Sequence, residues 1–191
     1  MGSFEAVRTA LVVIDMQQGL FAAAGGDSFV AERTGTIVAN TKRLAEAIRT
    51  AGGTVVMVKV ARPKIGGKPA VADDPIAIGS PGAEFVTELA PLPGDLVVEK
   101  FRVSAFYETR LDALLRSAGI RSLIVTGIFT NVGVESTVRD AWDRFYEVTV
   151  VEDACATPKK PGHEAAIALS LPRFATIAST DDLVKKIRDA G

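Results

Sequence analysis

Residues 123–142 read LIVTGIFTNVGVESTVRDAW. The opening Leu-Ile-Val-Thr is short, β-branched and free of polar alternation, the pattern of a strand buried on both faces. Gly127 interrupts it. Thr130 and Asn131 are helix-capping residue types, and Val134, Val138, Ala141 and Phe145 then recur at helical spacing. A strand that turns into a helix is the repeating unit of a parallel sheet.

The same unit recurs outward from this stretch. Upstream, residues 11–14 form a strand. A helix over 30–51 follows, with Ile37, Thr41, Leu44, Ala45 and Ile48 on its inner face and Gly52-Gly53 at its end, then a strand over 54–60. Further along come a strand at 96–98, a helix at 110–117 closed by Gly119, strand 122–126 and helix 132–145. Strand 148–151, helix 162–171, strand 174–177 and a helix opened by Ser179 complete the chain. About six strands alternating with helices, joined by right-handed crossovers, predict an α/β fold of the three-layer α/β/α sandwich type. Residues 61–94 break the rhythm, holding six of the nine prolines. One short helix near 84–89 is expected there. The rest reads equally as a lid or binding wall and as a surface insertion.

A length of 191 residues suits one domain spanning 1–191, large enough to need no disulfide or metal staple. The net charge of −1, with signs interspersed, gives no basic stripe for nucleic acid. No apolar run is long enough to span a membrane, and the first residues lack a signal-peptide pattern, so a cytoplasmic protein is expected. Cys155 is the one cysteine, which excludes an internal disulfide and a multi-cysteine zinc site. It reads as a buried structural thiol. His163 is the one histidine and reads as a surface residue near a helix start. No metal and no other cofactor is expected.

Ligands of such sheets bind beyond the carboxyl ends of the strands. Asp15 ends the first strand, Glu99-Lys100 the third, and 127–131 lead from the fourth into its helix. A carboxylate after four buried apolar residues must be paired, and Lys100 is the natural partner. The pair reads as a general acid or base held by an ammonium, or as a structural ion pair. Backbone N–H groups at the start of the helix after Asn131 can receive a developing oxyanion. Gly133 reads as close backbone approach to a ligand or as a tolerated helix-start glycine.

ALVVIDMQQGLF (10–21), VEKFRVSAFYETRLDALLRSAGI (98–120), LIVTGIFTNVGVESTVRDA (123–141) and VVEDACAT (150–157), in this order and spacing, resemble the isochorismatase-like, or cysteine hydrolase, superfamily. The resemblance covers nearly the whole chain apart from 61–94. It implies a six-stranded parallel sheet in the order 3-2-1-4-5-6 and hydrolysis of a small molecule: an amide, a ureido compound or a vinyl ether. The family's Asp falls on Asp15 and its Lys on Lys100, but its nucleophilic Cys falls on Gly133, which carries no nucleophile. The resemblance further implies a cis peptide between Ile128 and Phe129, an oxyanion hole from the Phe129 and Gly133 N–H groups, and a homodimer or homotetramer. Relatives that bind metal do so through an Asp and two His, a set this chain cannot supply.

Substrate-binding candidates at the rim are Gln17, Phe21, Lys59, Arg62, Phe106, Phe129 and Asn131, with Lys59 and Arg62 able to hold a carboxylate or to be solvated charges. Three functional readings follow. The first is a hydrolase that works through Asp15 and Lys100 without cysteine, as the isochorismatases proper do, although they carry histidine where this chain has Asn131. The second is an amidase-type cysteine hydrolase in which Gly133 replaces the nucleophile. The third is a non-catalytic binding protein on the same fold.

Overall fold

The computed structural model describes residues 5–65, 68–69 and 74–190. Six strands form one sheet: β1 (Thr9–Ile14), β2 (Thr54–Val60), β3 (Leu96–Lys100), β4 (Ser122–Ile128), β5 (Glu147–Ala156) and β6 (Thr176–Ala178). Their spatial order is β3-β2-β1-β4-β5-β6 and every pairing is parallel. This is the expected 3-2-1-4-5-6 sheet.

The helices are α1 (Gln18–Ala23), α2 (Phe29–Thr50), α3 (Leu111–Ser117), α4 (Glu135–Asp143), α5 (Lys160–Ala165) and α6 (Thr180–Asp189). Alternation along β1 divides the core in two. Leu11 and Val13 face Ile37, Leu44 and Ile48 of α2 and Leu183 and Ile187 of α6. Ala10, Val12 and Ile14 face Leu111 and Leu115 of α3 and Val138 and Ala141 of α4. Since both faces are covered, β1 is buried at every position, which is why its sequence does not alternate. Ser179 caps α6 through its side chain, as its position before the Asp pair implies.

Three expectations are corrected. No α-helix forms over 84–89. Phe85 bridges Gln17 in antiparallel fashion and Val86 N–H donates to Met16 O, so this stretch runs extended and only a 3-10 turn, Thr87–Leu89, remains before Pro91. Tertiary pairing overrides local helical pattern there. The helix read over 132–145 instead begins with a π-turn, Thr130–Val134, and α4 ends at Asp143. The helix read over 162–171 is broken into α5, a π-turn (Ala166–Ser170) and a 3-10 turn. Within 61–94, residues 66–67 and 70–73 lie outside the described residues, as do 1–4.

Gly127 shows how tightly β4 and β1 abut. Its φ is +148°, and a Cβ there would collide with the Ile14 backbone oxygen. Only glycine lets the end of β4 lie this close to the residue before Asp15. Among the described residues, no helix is long and apolar enough to cross a membrane.

Candidate active site

Asp15 is the first residue past β1, and its backbone is left-handed at φ 58°. Two main-chain bonds hold that turn: its N–H donates to Val58 O at 2.9 Å, and its carbonyl accepts from Gln17 N–H at 2.8 Å. A non-glycine residue in this region is strained by about 1 kcal/mol or more, and such strain clusters at functional sites. The side chain then points at Lys100, the last residue of β3, two strands away.

Lys100 Nζ donates to Asp15 Oδ2 at 2.8 Å and to Val103 O at 2.6 Å. Lys100 is 1% exposed and Asp15 4%. The other carboxylate oxygen, Asp15 Oδ1, is buried with no hydrogen-bond partner in the protein. Burial pushes the Asp15 carboxyl up to about 6, against the opposing pull of Lys100. The result is a buried carboxyl with one oxygen paired to an ammonium and the other left without a side-chain partner.

The third wall is the turn between β4 and α4. Gly133 lies within it, buried, and a Cβ built on it would sit 3.0 Å from Asp15 Oδ2 and 3.5 Å from Lys100 Nζ. The place of the missing side chain therefore adjoins the ion pair. Thr137 fixes this end of the turn: its hydroxyl donates to Gly133 O at 2.7 Å and accepts from Ala105 N–H at 3.0 Å. Phe129 makes the turn with a left-handed φ of 51°. No cis peptide bond is present among the described residues, so the cis Ile128–Phe129 bond is corrected. The reversal is achieved by torsion at Phe129 and Gly127 instead.

Other candidates fall elsewhere. Gln17 is fully buried and its amide is spent on structure, donating to Val60 O and Ala83 O and accepting from Val60 N–H, each at 2.8 Å. Phe106 is core, packed on Tyr146 with Arg144 over its ring. Neither belongs to a rim. Lys59 is drawn to Glu84 (3.4 Å) and Glu99 (3.9 Å), and Arg62 to the buried Asp74 (3.1 Å), so both cations already face carboxylates. Phe21 is half-buried against the core of the α2 face. Asn131 is exposed, and its Oδ1 accepts from Thr157 Oγ1 at 2.7 Å.

His163 is not a surface residue. It is 7% exposed, its Nδ1 lies 2.9 Å from Thr130 Oγ1, and its ring packs on Phe29 at 5.4 Å. Desolvation, and then Arg33, hold its pKa below the ordinary value. Its neighbours in sequence, Pro161-Gly162-His163-Glu164, are those of an exposed helix start, and nothing in them signals a partner thirty-three residues upstream. Cys155 is buried and burial pushes its thiol up to about 12, so it is an inert core group. No cluster of metal-ligating side chains occurs among the described residues. A cleft of about 930 Å³ opens at the opposite, amino ends of the strands, lined by Arg8, Arg121, Trp142, Glu147 and Phe174 among others, and holds none of these residues.

Comparison with known proteins agrees with this architecture. The isochorismatase domain family matches residues 9–182. The isochorismatase family protein YwoC of Bacillus subtilis strain 168 is 33% identical over 187 residues, spanning 95% of each chain. The ureidoacrylate amidohydrolase RutB of Pseudomonas syringae pv. syringae is 35% identical, over 96% of this chain and 85% of its own. A cysteine hydrolase structure from Pseudomonas syringae pv. phaseolicola 1448A superposes with a TM-score of 0.86 at 26% identity, covering 100% of this chain and 97% of that one. The chain belongs to the isochorismatase family of hydrolases.

Proposed function

We propose that the protein hydrolyses a small amide, ureido compound or vinyl ether by acid–base catalysis at Asp15 and Lys100, with water as the nucleophile. The observation that carries this is the Asp15 carboxyl: buried, raised to about 6, paired on Oδ2 with Lys100 and bare on Oδ1, beside a residue with no side chain. A carboxylic acid at that pKa is still protonated in about one molecule in ten at neutrality, far more than an ordinary aspartate, and can give that proton up in a transition state. Asp15 protonates the leaving nitrogen, or the vinyl carbon of an enol ether. Water adds to the electrophilic carbon, the bond to the leaving group breaks, and the proton shed by water returns to Asp15. Lys100 stabilises the carboxylate that exists between the two transfers. The Phe129 and Gly133 N–H groups are the proposed donors to the developing oxyanion.

The test is turnover of a panel of small amides, ureido acids and enol ethers by the protein and by Asp15→Asn. A loss of about 100-fold or more is expected for every compound that reacts. An unchanged rate refutes the proposal.

A second reading is supported by one geometric fact and one relative. A Cβ at position 133 would point at Asp15 and Lys100, the arrangement that would activate a cysteine, and RutB is named an ureidoacrylate amidohydrolase. If the pocket remains that of a cysteine amidohydrolase, Gly133→Cys gains amidase activity and a thiol that iodoacetamide alkylates. An inert thiol without turnover rejects this second reading.

A further inference from the structure

We propose that His163, through Thr130, is a positioning residue that sets the height of the Gly133 turn over Asp15. The inference rests on the reading of Asp15 as the acid–base group. The turn is tied at three points. Thr137 holds Gly133 O from within the same helix, and Thr157, just past β5, holds Asn131 Oδ1 at the exposed edge. The inner tie is the bond between Thr130 Oγ1 and His163 Nδ1, made by two buried side chains, with Thr130 at 0% exposure.

The imidazole is itself held. Phe29 of α2 packs on it, and the face of Phe29 carries Arg33 at 5.3 Å and Lys160 at 5.9 Å. The ring therefore cannot follow Thr130 if the turn moves. It acts as a fixed post between α2 and the segment bearing Phe129 and Gly133. What lies under that segment is the Asp15 carboxylate, 3.0 Å from the Cβ direction of Gly133. A turn that rises lets water reach Asp15 and weakens the desolvation that holds its proton. It also swings the Phe129 and Gly133 N–H groups off the reacting atoms.

A bond that is only structural contributes to stability and nothing to the titration of a carboxyl it does not touch. That difference defines the experiment. Carbon-13 aspartate labelling follows the Asp15 carboxyl through pH titration by NMR, its signal assigned with Asp15→Asn, and urea denaturation is measured in parallel. His163→Phe keeps the ring packing on Phe29 and removes the nitrogen. Thr130→Val removes the bond from the other end and serves if His163→Phe does not fold. His163→Asn places an amide atom where Nδ1 lies. The expected result is a fall in the Asp15 midpoint of about one unit, a tenfold change in proton affinity, in both deletion variants, with the wild-type midpoint kept in His163→Asn. An Asp15 midpoint unmoved in His163→Phe or Thr130→Val, equal falls in all three variants, or a wild-type midpoint in the ordinary carboxylate range each overturns the proposal. No substrate enters this measurement, so turnover surviving in Asp15→Asn would remove the catalytic reading while leaving the titration result intact.

Discussion

At Asp15 two forces of opposite sign meet, and their balance decides what the residue can do. Burial is the larger and favours the neutral acid, while Lys100 favours the carboxylate. With Asp15 acting as the acid, kcat/KM falls about tenfold per pH unit above a midpoint near 6, which a pH–rate profile reads. Replacing Lys100 by Met removes the pull toward the carboxylate. The midpoint then rises above its wild-type place while the rate drops, and a midpoint that falls would mean that Lys100 does not act on Asp15. Stability carries the same signature. A carboxyl whose folded pKa lies above its unfolded 3.8 makes folding less favourable as pH rises from about 4 through 6, by on the order of 3 kcal/mol. The wild-type minus Asp15→Asn difference in urea stability is expected to shrink across that window. Gly133→Ala tests the space beside the pair. Its Cβ meets Asp15 Oδ2 at 3.0 Å, so the carboxylate must shift, and a loss of at least about tenfold in turnover is expected with little change in melting. The identities of Asp15 and Lys100 and the glycine at 133 were readable from the chain. That Asp15 Oδ1 is buried without a partner was not, because it depends on which distant groups the folded chain brings beside it.

Among the elements, the turns between strand and helix departed most from their local pattern. The 84–89 stretch has helix-forming residues but is drawn straight by the bridge between Gln17 and Phe85. Gln17, read as a rim residue, instead joins the end of β2 to Ala83. Gln17→Leu leaves Val60 N–H, Val60 O and Ala83 O without partners, and a loss of about 2 kcal/mol or more in urea stability is expected. If Gln17→Leu were instead as stable as the parent and only raised KM, the rim assignment would be restored. The helix was read as ordinary α-helix from Val132, with Thr130 and Asn131 as capping types, but it opens with the π-turn Thr130–Val134. Its π-turn accommodates contacts with α5 that no sequence period encodes.

Over the whole molecule, the parallel sheet gathers the ends of β1, β3 and β4 at one edge, and the acid, the ammonium and the turn arrive there from positions 15, 100 and 133. Phe101, Val103 and Tyr107, in the loop after Lys100, are each about half exposed. The homodimer or homotetramer implied by resemblance predicts a light-scattering mass that is twice or four times 20.1 kDa. A mass of one chain refutes it. The sequence by itself determined the alternation of strands and helices, and with it the layered sheet and the placing of Asp15 and Lys100 at strand ends. Those are consequences of hydrophobic period, which is local. Tertiary structure alone decided that Gln17 and Phe106 are interior, that Lys59 and Arg62 already have acidic partners, and that His163 braces the Gly133 turn. Each of these depends on which distant side chain arrives within a few ångströms, and that distance is fixed only when the layers close.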